Sequence, residues 1–260
     1  MSTNNDPIRK NYFKPIQVLE AWLSFLFWIG ALLSIFSAVA DDSPNTSYSY
    51  IATVLFAIVI VIIFAITLII RFYLSPRAAD ARRKDFIGNS FGINFDHIKT
   101  VGYYNNDESD PIRRMGLSVL ENTFFTKSIL AGMAPKIRIQ TSLLMIGWLA
   151  LVLFRETPIL VVAIAAQVVF SAEVLERWWR IEWLRAKCER LYESFLQLFR
   201  SNLSSDNFTA YIIRMFGEYE CAKSVSDVLL DEKIFNRENN RLSNEWEDVK
   251  SNLRLTDLPS

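Results

Sequence analysis

Histidine, cysteine and glycine are scarce in this sequence, which has one, two and eight of them among 260 residues. A single histidine, His97, excludes most metal sites and histidine-based acid–base catalysis. The two scattered cysteines, Cys188 and Cys221, are too few for a disulfide framework or a zinc site. The sequence also has no glycine-rich phosphate-binding loop and no Ser-His-Asp or paired-carboxylate motif. We therefore expect a protein that is not an enzyme and that binds no metal and no cofactor.

An excess of charge of either sign is also absent, because 28 basic side chains balance 28 acidic ones. A balanced chain has no bulk attraction to nucleic acid or to an anionic surface. We expect no nucleic acid duplex among the partners of this protein. Any site for an anion must be formed by a local group of residues.

A long apolar run dominates the sequence instead. Ile51–Ile70 contains no charge, glycine or proline, and Thr53 and Thr67 supply its only polar groups. At about 1.5 Å per residue, a helix of this length matches the roughly 30 Å hydrocarbon core of a bilayer. The run predicts a membrane-spanning helix around which the rest of the chain is organised.

Three further apolar runs predict three more spans, at 19–40, 139–154 and 158–174. The polar segments 41–50 and 155–157 are short, so each joins two antiparallel helices. The last two runs are short for a full crossing, which local thinning of the bilayer would accommodate. We expect an all-α membrane protein with four transmembrane helices in two hairpins, and a cytosolic helical domain from the central insert and C-terminal tail. Two spans with a buried soluble hairpin remain the alternative.

These spans divide the chain into five parts: an N-terminal tail 1–18, a first hairpin 19–74, an insert 75–138, a second hairpin 139–174 and a C-terminal region 175–260. The N-terminal segment is polar and too long to open a cleaved signal peptide, so we interpret it as a cytosolic tail. Ten lysines and arginines lie in the insert, whereas Arg155 is the only one in the two hairpin loops. The positive-inside rule predicts that both termini and the insert are cytoplasmic.

Helix boundaries follow from breakers and periodicity. Ser75 and Pro76 are expected to stop or bend the second helix. The sequence after Pro158 has neither glycine nor proline and keeps helical spacing to about Leu203, which predicts one continuous helix of about 65 Å. Two further helices are predicted over 207–225 and 226–253.

Small and polar residues inside the runs predict helix contacts. Gly30, Ser34 and Ala38 recur every four residues, which is typical of closely packed membrane helices but also arises by chance. Gln167 is expected to be the only strongly polar side chain within the bilayer, with Ala163 and Ser171 on the same face. Such a group either holds helices together or lines a pore.

The start of the insert concentrates charge just after the second span. Arg82, Arg83 and Asp85 lie there within one helical turn, followed by Asn89. These residues either form a solvated face that touches anionic lipid or place a guanidinium group against a phosphate.

Two later segments of the insert carry further candidate groups. Tyr103, Tyr104, Asn105 and Asn106 either stack on a base and bind its edge or form an ordinary turn. The segment LENTFFTKSI, which contains Lys127, predicts the start of an amphipathic helix with its phenylalanines in the core.

Four segments together resemble a known family: ADARRKDFIGNSFG, GYYNN, ENTFFTKSI and the late IFNRENNRLSNEW. The combination is similar to the four-transmembrane effector family associated with SMODS nucleotidyltransferases, a bacterial group assigned to CBASS anti-phage defence as pore-forming effectors. The resemblance covers most of the chain, including the layout of two spans on each side of an insert. None of the four segments is a catalytic signature.

The resemblance implies that a cyclic oligonucleotide, made by a partner nucleotidyltransferase during infection, activates the protein to permeabilise the inner membrane and cause abortive infection. The expected partners are then the lipid bilayer, further copies of this chain and the nucleotide. Gly88 departs from the family pattern, in which an acidic or polar residue is expected. The positions carried over from the resemblance are Arg82, Arg83, Asp85, Asn89, Gly92, Tyr103, Tyr104, Asn105, Asn106, Glu121, Asn122 and Lys127.

Other functions remain open at this point. The spans of a membrane scaffold or signal transducer would only anchor a cytosolic module that recruits a partner. A constitutive small transporter is a third hypothesis, which is disfavoured because we expect no charged residue inside any span.

Overall fold

The computed structural model describes residues 6–40, 46–95, 100, 108–154, 156–201 and 203–254. Within these ranges the chain is helical and contains no strand, as the sequence predicts. The α-helices are α1 (Lys14–Ala40), α2 (Thr46–Ile69), α3 (Ser75–Phe91), α4 (Pro111–Leu153), α5 (Ile159–Val169), α6 (Arg177–Phe199), α7 (Ser205–Ser226) and α8 (Glu232–Arg254). Wider π-helical turns occupy Arg9–Phe13, Ile70–Leu74 and Ala172–Glu176.

Four helical stretches are long and apolar enough to cross a membrane: Arg9–Ala38, Ser47–Phe91, Pro111–Leu153 and Ile159–Phe199. This agrees with the predicted number of apolar helices. Three of the stretches exceed 40 residues, so at about 1.5 Å per residue they are much longer than the roughly 30 Å hydrocarbon core.

The second helix does not stop at Ser75 and Pro76, so a predicted end at this point is wrong. The backbone N–H of Ser75 donates to the carbonyl of Ile70, five residues earlier, and the chain then continues as α3. Proline has no N–H to donate to the preceding turn. The wider π-helical turn lies next to this proline and keeps the helical path continuous.

The third apolar run is the C-terminal part of α4, which begins 28 residues earlier, at Pro111. The ENTFFTKSI segment therefore lies in the middle of a helix, and the prediction that a helix starts there is wrong. Phe124 from this segment is buried, as expected for a core residue.

The fourth run does not continue into one uninterrupted helix. The chain leaves helical geometry at Phe170 and Ser171, where Ser171 has an extended backbone with ψ of 164°. The hydroxyl of Ser171 donates to the carbonyl of Val168 at 2.7 Å. A serine side chain that binds a nearby carbonyl offers the backbone an alternative to the helical bond, which explains an interruption without glycine or proline.

The chain divides into two compact units. The first, here called the apolar unit, comprises Pro7–Ala81 and Ile137–Trp178. Large apolar side chains are exposed on the sides of α2 that α1 does not cover, among them Val54, Leu55, Ile58, Val61, Ile62 and Phe64. Lipid tails solvate such a surface, whereas in water it would cause aggregation.

The second unit, here called the charged unit, comprises Asp6, Arg82–Lys136 and the chain from Trp179 onward. Its core forms where α4, α6, α7 and α8 turn apolar faces toward one another, with buried positions three or four residues apart. Fully or nearly fully buried members are Val119, Leu120, Ile129, Leu130, Leu184, Cys188, Phe195, Ile212, Met215, Leu242 and Trp246. Cys188 is thus a packing residue, while Cys221 is exposed.

Candidate functional site

The guanidinium group of Arg82 forms an ion pair with Asp6, with 2.5 Å between Nη2 and Oδ2. The two side chains are only 15% and 12% exposed. A charge so far removed from water must be paired with an opposite charge, because the cost of desolvation is high. Arg82 therefore holds the N-terminal segment onto α3.

The neighbouring Arg83 makes a weaker contact. Its Nε atom lies 3.5 Å from Oε2 of Glu220 on α7, and its side chain is 46% exposed. The same Glu220 carboxylate pairs with Lys223 at 2.7 Å. Exposed pairs of this kind are worth at most about 1 kcal/mol, so Arg83 can exchange partners at little cost.

Asp85 binds the chain that follows α3 rather than facing solvent. Its carboxylate accepts hydrogen bonds from the backbone N–H and the hydroxyl of Thr100, at 3.2 Å and 2.6 Å. Asn89, one turn further along, is exposed. Between them Phe86 is buried and stacks on Phe216, with ring centroids 5.1 Å apart.

The geometry at the end of α3 explains why position 88 is occupied by glycine. The N–H of Ile93 donates to the carbonyl of Gly88 at 2.9 Å, and Gly92 has a φ of 69°. This geometry is a helix C-cap that glycine favours at the left-handed position. A side chain on residue 88 would place its Cβ 2.5 Å from the carbonyl oxygen of Ile93, so an acidic residue does not fit there.

Lys127 lies against aromatic rings of α4 and α6. Its Nζ atom is 3.6 Å from the ring centroid of Tyr192 and 5.8 Å from that of Phe124. Burial lowers the pKa of Lys127, although the carboxylates of Glu189 and Glu193 oppose this shift. A cation on a ring face is held by the ring quadrupole. These partners differ from those of the two α3 arginines, so Lys127 is not shown to belong with them.

The predicted base-stacking residues Tyr103, Tyr104, Asn105 and Asn106 lie outside the described residues. So do His97 and Arg155. Their contribution to a ligand site stays a prediction.

Glu121 is a largely buried carboxyl group of the charged unit with a strongly shifted pKa. It lies on α4 eighteen residues before the apolar run that starts at Ile139, and so outside the predicted third span. Burial raises the pKa of Glu121 to about 7; Lys250 opposes the increase and Glu247 adds to it. Near neutral pH this side chain therefore exists in both protonation states.

The Glu121→Gln variant is expected to abolish one pH dependence of stability. The pKa of Glu121 in the folded protein, about 7, exceeds the ordinary value of 4.5. The folded state therefore has its full stability with respect to this group below pH 4.5, where Glu121 is protonated in the folded and the unfolded chain. It loses that stability as the pH rises through 7. The loss is at most about 3 kcal/mol. Thermal unfolding at pH 5 and pH 8 should show the variant more stable than the unmodified protein at pH 8 only. The exposed Glu189→Gln change is the control, and equal profiles for all three proteins would contradict the prediction.

In the apolar unit, Gly30 brings α1 close to α2. A Cβ atom added to Gly30 would lie 3.5 Å from Cγ1 of Val59 and 3.8 Å from the ring of Phe56. Ser34 and Ala38, the other members of the predicted stripe, are half-buried. Gly30 is buried and lies against α2, as expected of a small residue in a helix contact.

Substitutions at Gly30 should show a sharp dependence on size. A methyl group reaches ordinary contact distance, so Gly30→Ala should change the free energy of unfolding by less than about 0.5 kcal/mol. Gly30→Leu has no room and should cost about 1–3 kcal/mol by forcing the helices apart. Hydrogen exchange of α1 and α2 amides in detergent micelles measures both effects. Equal protection in the two variants would show that α2 does not pack here.

A cluster of three hydroxyl groups further along α1 and α2 escaped sequence analysis. Ser37 Oγ lies 2.7 Å from Oγ1 of Thr53, and Ser49 Oγ donates to the carbonyl of Ser37 at 3.2 Å. Thr53 also donates to the carbonyl of Ser49. Hydroxyls that bond across helices contribute roughly 0.6 kcal/mol each in lipid. Ser37 and Ser49 are small residues in or next to predicted spans, and this feature of the sequence could have predicted a helix contact here.

The prediction that Gln167 is the only strongly polar side chain in the spans is wrong. Glu173 lies within the predicted fourth span, where its carboxylate accepts a hydrogen bond from Ser24 of α1. Arg177, one turn later, pairs with the same carboxylate at 3.1 Å. The transporter hypothesis was disfavoured because no charged residue was expected inside a span. Since Glu173 lies in the predicted fourth span, this argument against a transporter no longer holds. Glu173 lies in the first helical turn after the break at Ser171, where the helix dipole favours an acidic group.

Ala163 and Gln167 are exposed on the surface of α5, while Ser171 is half-buried at the break. The three residues therefore do not form one buried face within the chain.

No family model, curated protein or solved structure matches this chain.

The described residues offer two kinds of chemistry. In the charged unit, Arg82 and Arg83 lie on consecutive positions of α3, each in an ion pair that an incoming anion can replace. In the apolar unit, Ser24, Glu173 and Arg177 form a polar contact next to a broken helix. Among the described residues, no group of three histidine, cysteine or acidic side chains is placed to hold a metal ion.

Proposed function

We propose that this protein is a membrane effector of bacterial anti-phage defence. A cyclic oligonucleotide made by a partner nucleotidyltransferase, or another infection signal, activates it to permeabilise the inner membrane. The observation that carries the proposal is that one chain contains both an apolar unit with exposed large apolar side chains and a separate charged unit. This adds to the resemblance of four sequence segments to the SMODS-associated effectors.

The proposed topology has two hairpins, with both termini and the charged unit in the cytoplasm. Its basis is the distribution of basic residues, which concentrate in the insert and are nearly absent from the short loops. The exposed apolar side chains of α2 supply the lipid-facing surface that such a topology requires.

The trigger is proposed to bind at Arg82 and Arg83. A phosphate group would take the place of the Asp6 carboxylate on the first and of Glu220 on the second, and the guanidinium fork suits phosphate oxygens. A ligand shifts a protein between two states only if it binds one of them more tightly. Replacement of the Asp6 carboxylate would release the N-terminal segment from α3, which defines the second state.

The proposal is tested with the full-length protein in liposomes of phosphatidylethanolamine and phosphatidylglycerol that contain a self-quenching dye. Each member of a panel of cyclic di- and trinucleotides is added, and dye release is followed. We expect release with at least one cyclic nucleotide and none with the matching linear dinucleotides.

Failure would take a specific form. Intact liposomes with every nucleotide, together with an unchanged membrane potential in bacteria that also contain an active nucleotide synthase, would contradict the effector function. That result would favour the scaffold or signal-transducer alternative. Dye release without any nucleotide would contradict activation by the nucleotide but would still support a membrane-permeabilising activity.

A further inference from the structure

The carboxamide of Gln167 is unusual for its position. It is exposed on α5, a helix whose other residues, ILVVAIAA and VV, are all apolar. No hydrogen-bond partner for it exists among the described residues. An amide in hydrocarbon without a partner is strongly unfavourable, because lipid tails offer neither donors nor acceptors.

Hydroxyl groups elsewhere in the apolar unit behave differently. Thr67 donates to the carbonyl of Ile63 in its own helix at 2.8 Å. Thr53 and Ser171 likewise donate to carbonyls of the chain. These side chains satisfy their hydrogen bonds locally, whereas Gln167 needs a group from outside the chain.

The surface around Gln167 has the spacing of a helix contact. Leu160, Ala163, Gln167 and Phe170 are all exposed, at intervals of three, four and three residues. Val169 on the opposite side of α5 is buried within the chain, and so is Ile164, which borders the exposed residues. Residues repeated at this spacing form a stripe along one helix face, and the small Ala163 permits another helix to approach closely.

We propose that this stripe of α5 binds the same stripe of a second copy of the chain, with the two Gln167 carboxamides joined by hydrogen bonds. A carboxamide is both donor and acceptor, so it is complementary to itself across a two-fold axis. An antiparallel helix or a different protein would have to carry a matching polar group at the same depth in the bilayer. A parallel second copy of the chain carries Gln167 itself at that depth. This contact does not depend on the proposed nucleotide trigger.

The test measures association of the full-length protein in liposomes without nucleotide. Donor and acceptor dyes are attached to the exposed Cys221, and energy transfer is followed as the protein-to-lipid ratio is lowered. We expect Gln167→Leu to weaken association roughly tenfold, whereas Gln167→Asn retains most of it. Thr67→Val is the matched control, because it removes a span hydroxyl that is satisfied within its own helix, and it should have no effect.

Cross-linking locates the contact. In a Cys221→Ser background, Ala163→Cys should form disulfides between copies, whereas Val61→Cys on α2, which is 66% exposed, should not. Equal association of Gln167→Leu and the unmodified protein would overturn the proposal. So would rapid labelling of Gln167→Cys by a membrane-impermeant thiol reagent, since that position would then line a water-filled path.

Discussion

Replacement of Trp246 by alanine is expected to lower the free energy of unfolding of the charged unit by about 3–5 kcal/mol. The indole of Trp246 is 2% exposed and packs against Phe124, with ring centroids 6.0 Å apart. Removal of so large a side chain leaves a cavity between α8 and α4 that neighbouring residues fill only in part. Because a whole small domain is stabilised by about 5–15 kcal/mol, this variant should lose α8 from the core much of the time.

Hydrogen exchange of the amides of α8 and α4 measures this effect in the intact protein. Trp246→Phe is the matched control, because phenylalanine fills most of the volume and its ring has no N–H. The indole N–H has no partner among the described residues, so its removal offsets part of the lost packing. Tyr211→Ala, at an exposed aromatic position of α7, should change protection little. Undiminished protection of α8 in Trp246→Ala would show that this helix is not held by the tryptophan.

We expect Arg82→Gln and Asp6→Asn to change the sensitivity to the nucleotide in opposite directions. If Arg82 binds a phosphate of the trigger in competition with Asp6, Arg82→Gln should raise the nucleotide concentration for half-maximal dye release at least tenfold. Asp6→Asn removes the competing carboxylate and should lower that concentration about tenfold. A hydrogen bond to a charged group is worth about 1.5–3 kcal/mol, which corresponds to these factors.

The sign of the Asp6→Asn effect separates ligand binding from a structural role. If Arg82 only anchors the N-terminal segment, both variants break the same ion pair and both should impair the protein. Arg237→Gln is the control, because it removes an exposed arginine paired with Glu238 on α8 and should leave dye release unchanged. A loss of response in both Arg82→Gln and Asp6→Asn, with Arg237→Gln normal, would place the trigger site elsewhere.

The apolar helices were the most predictable part of the fold. The run Ile51–Ile70 lies within the α2 stretch, and all four predicted runs fall in helices long and apolar enough to span a membrane. An apolar run is recognised from the types of consecutive residues alone, so no knowledge of the tertiary structure is needed to predict it. Helix ends were less predictable. A π-helical turn that ends just before Ser75 lets the helix continue through Pro76, whereas Ser171 interrupts a helical path that contains no glycine or proline.

The candidate site was less accessible to sequence analysis. The arginines of α3 were identified as charged and close together, but Asp6 lies 76 positions from Arg82, and no local pattern joins them. Glu173 was overlooked because a single acidic residue at the edge of an apolar run does not change its mean hydropathy. Ser24 on α1, 149 positions away, is the partner that gives this carboxylate a role.

The sequence by itself determined the helical class, the four apolar helices and the balance of charge, because each depends only on residue types along a short window of chain. Only the tertiary structure decided which charges are neutralised, which face of α5 is left uncovered and why Glu121 titrates near neutral pH. Those properties depend on distances and burial between residues far apart in the chain. Electrostatic energies and desolvation change steeply over a few ångströms, and such distances are fixed only when the helices pack.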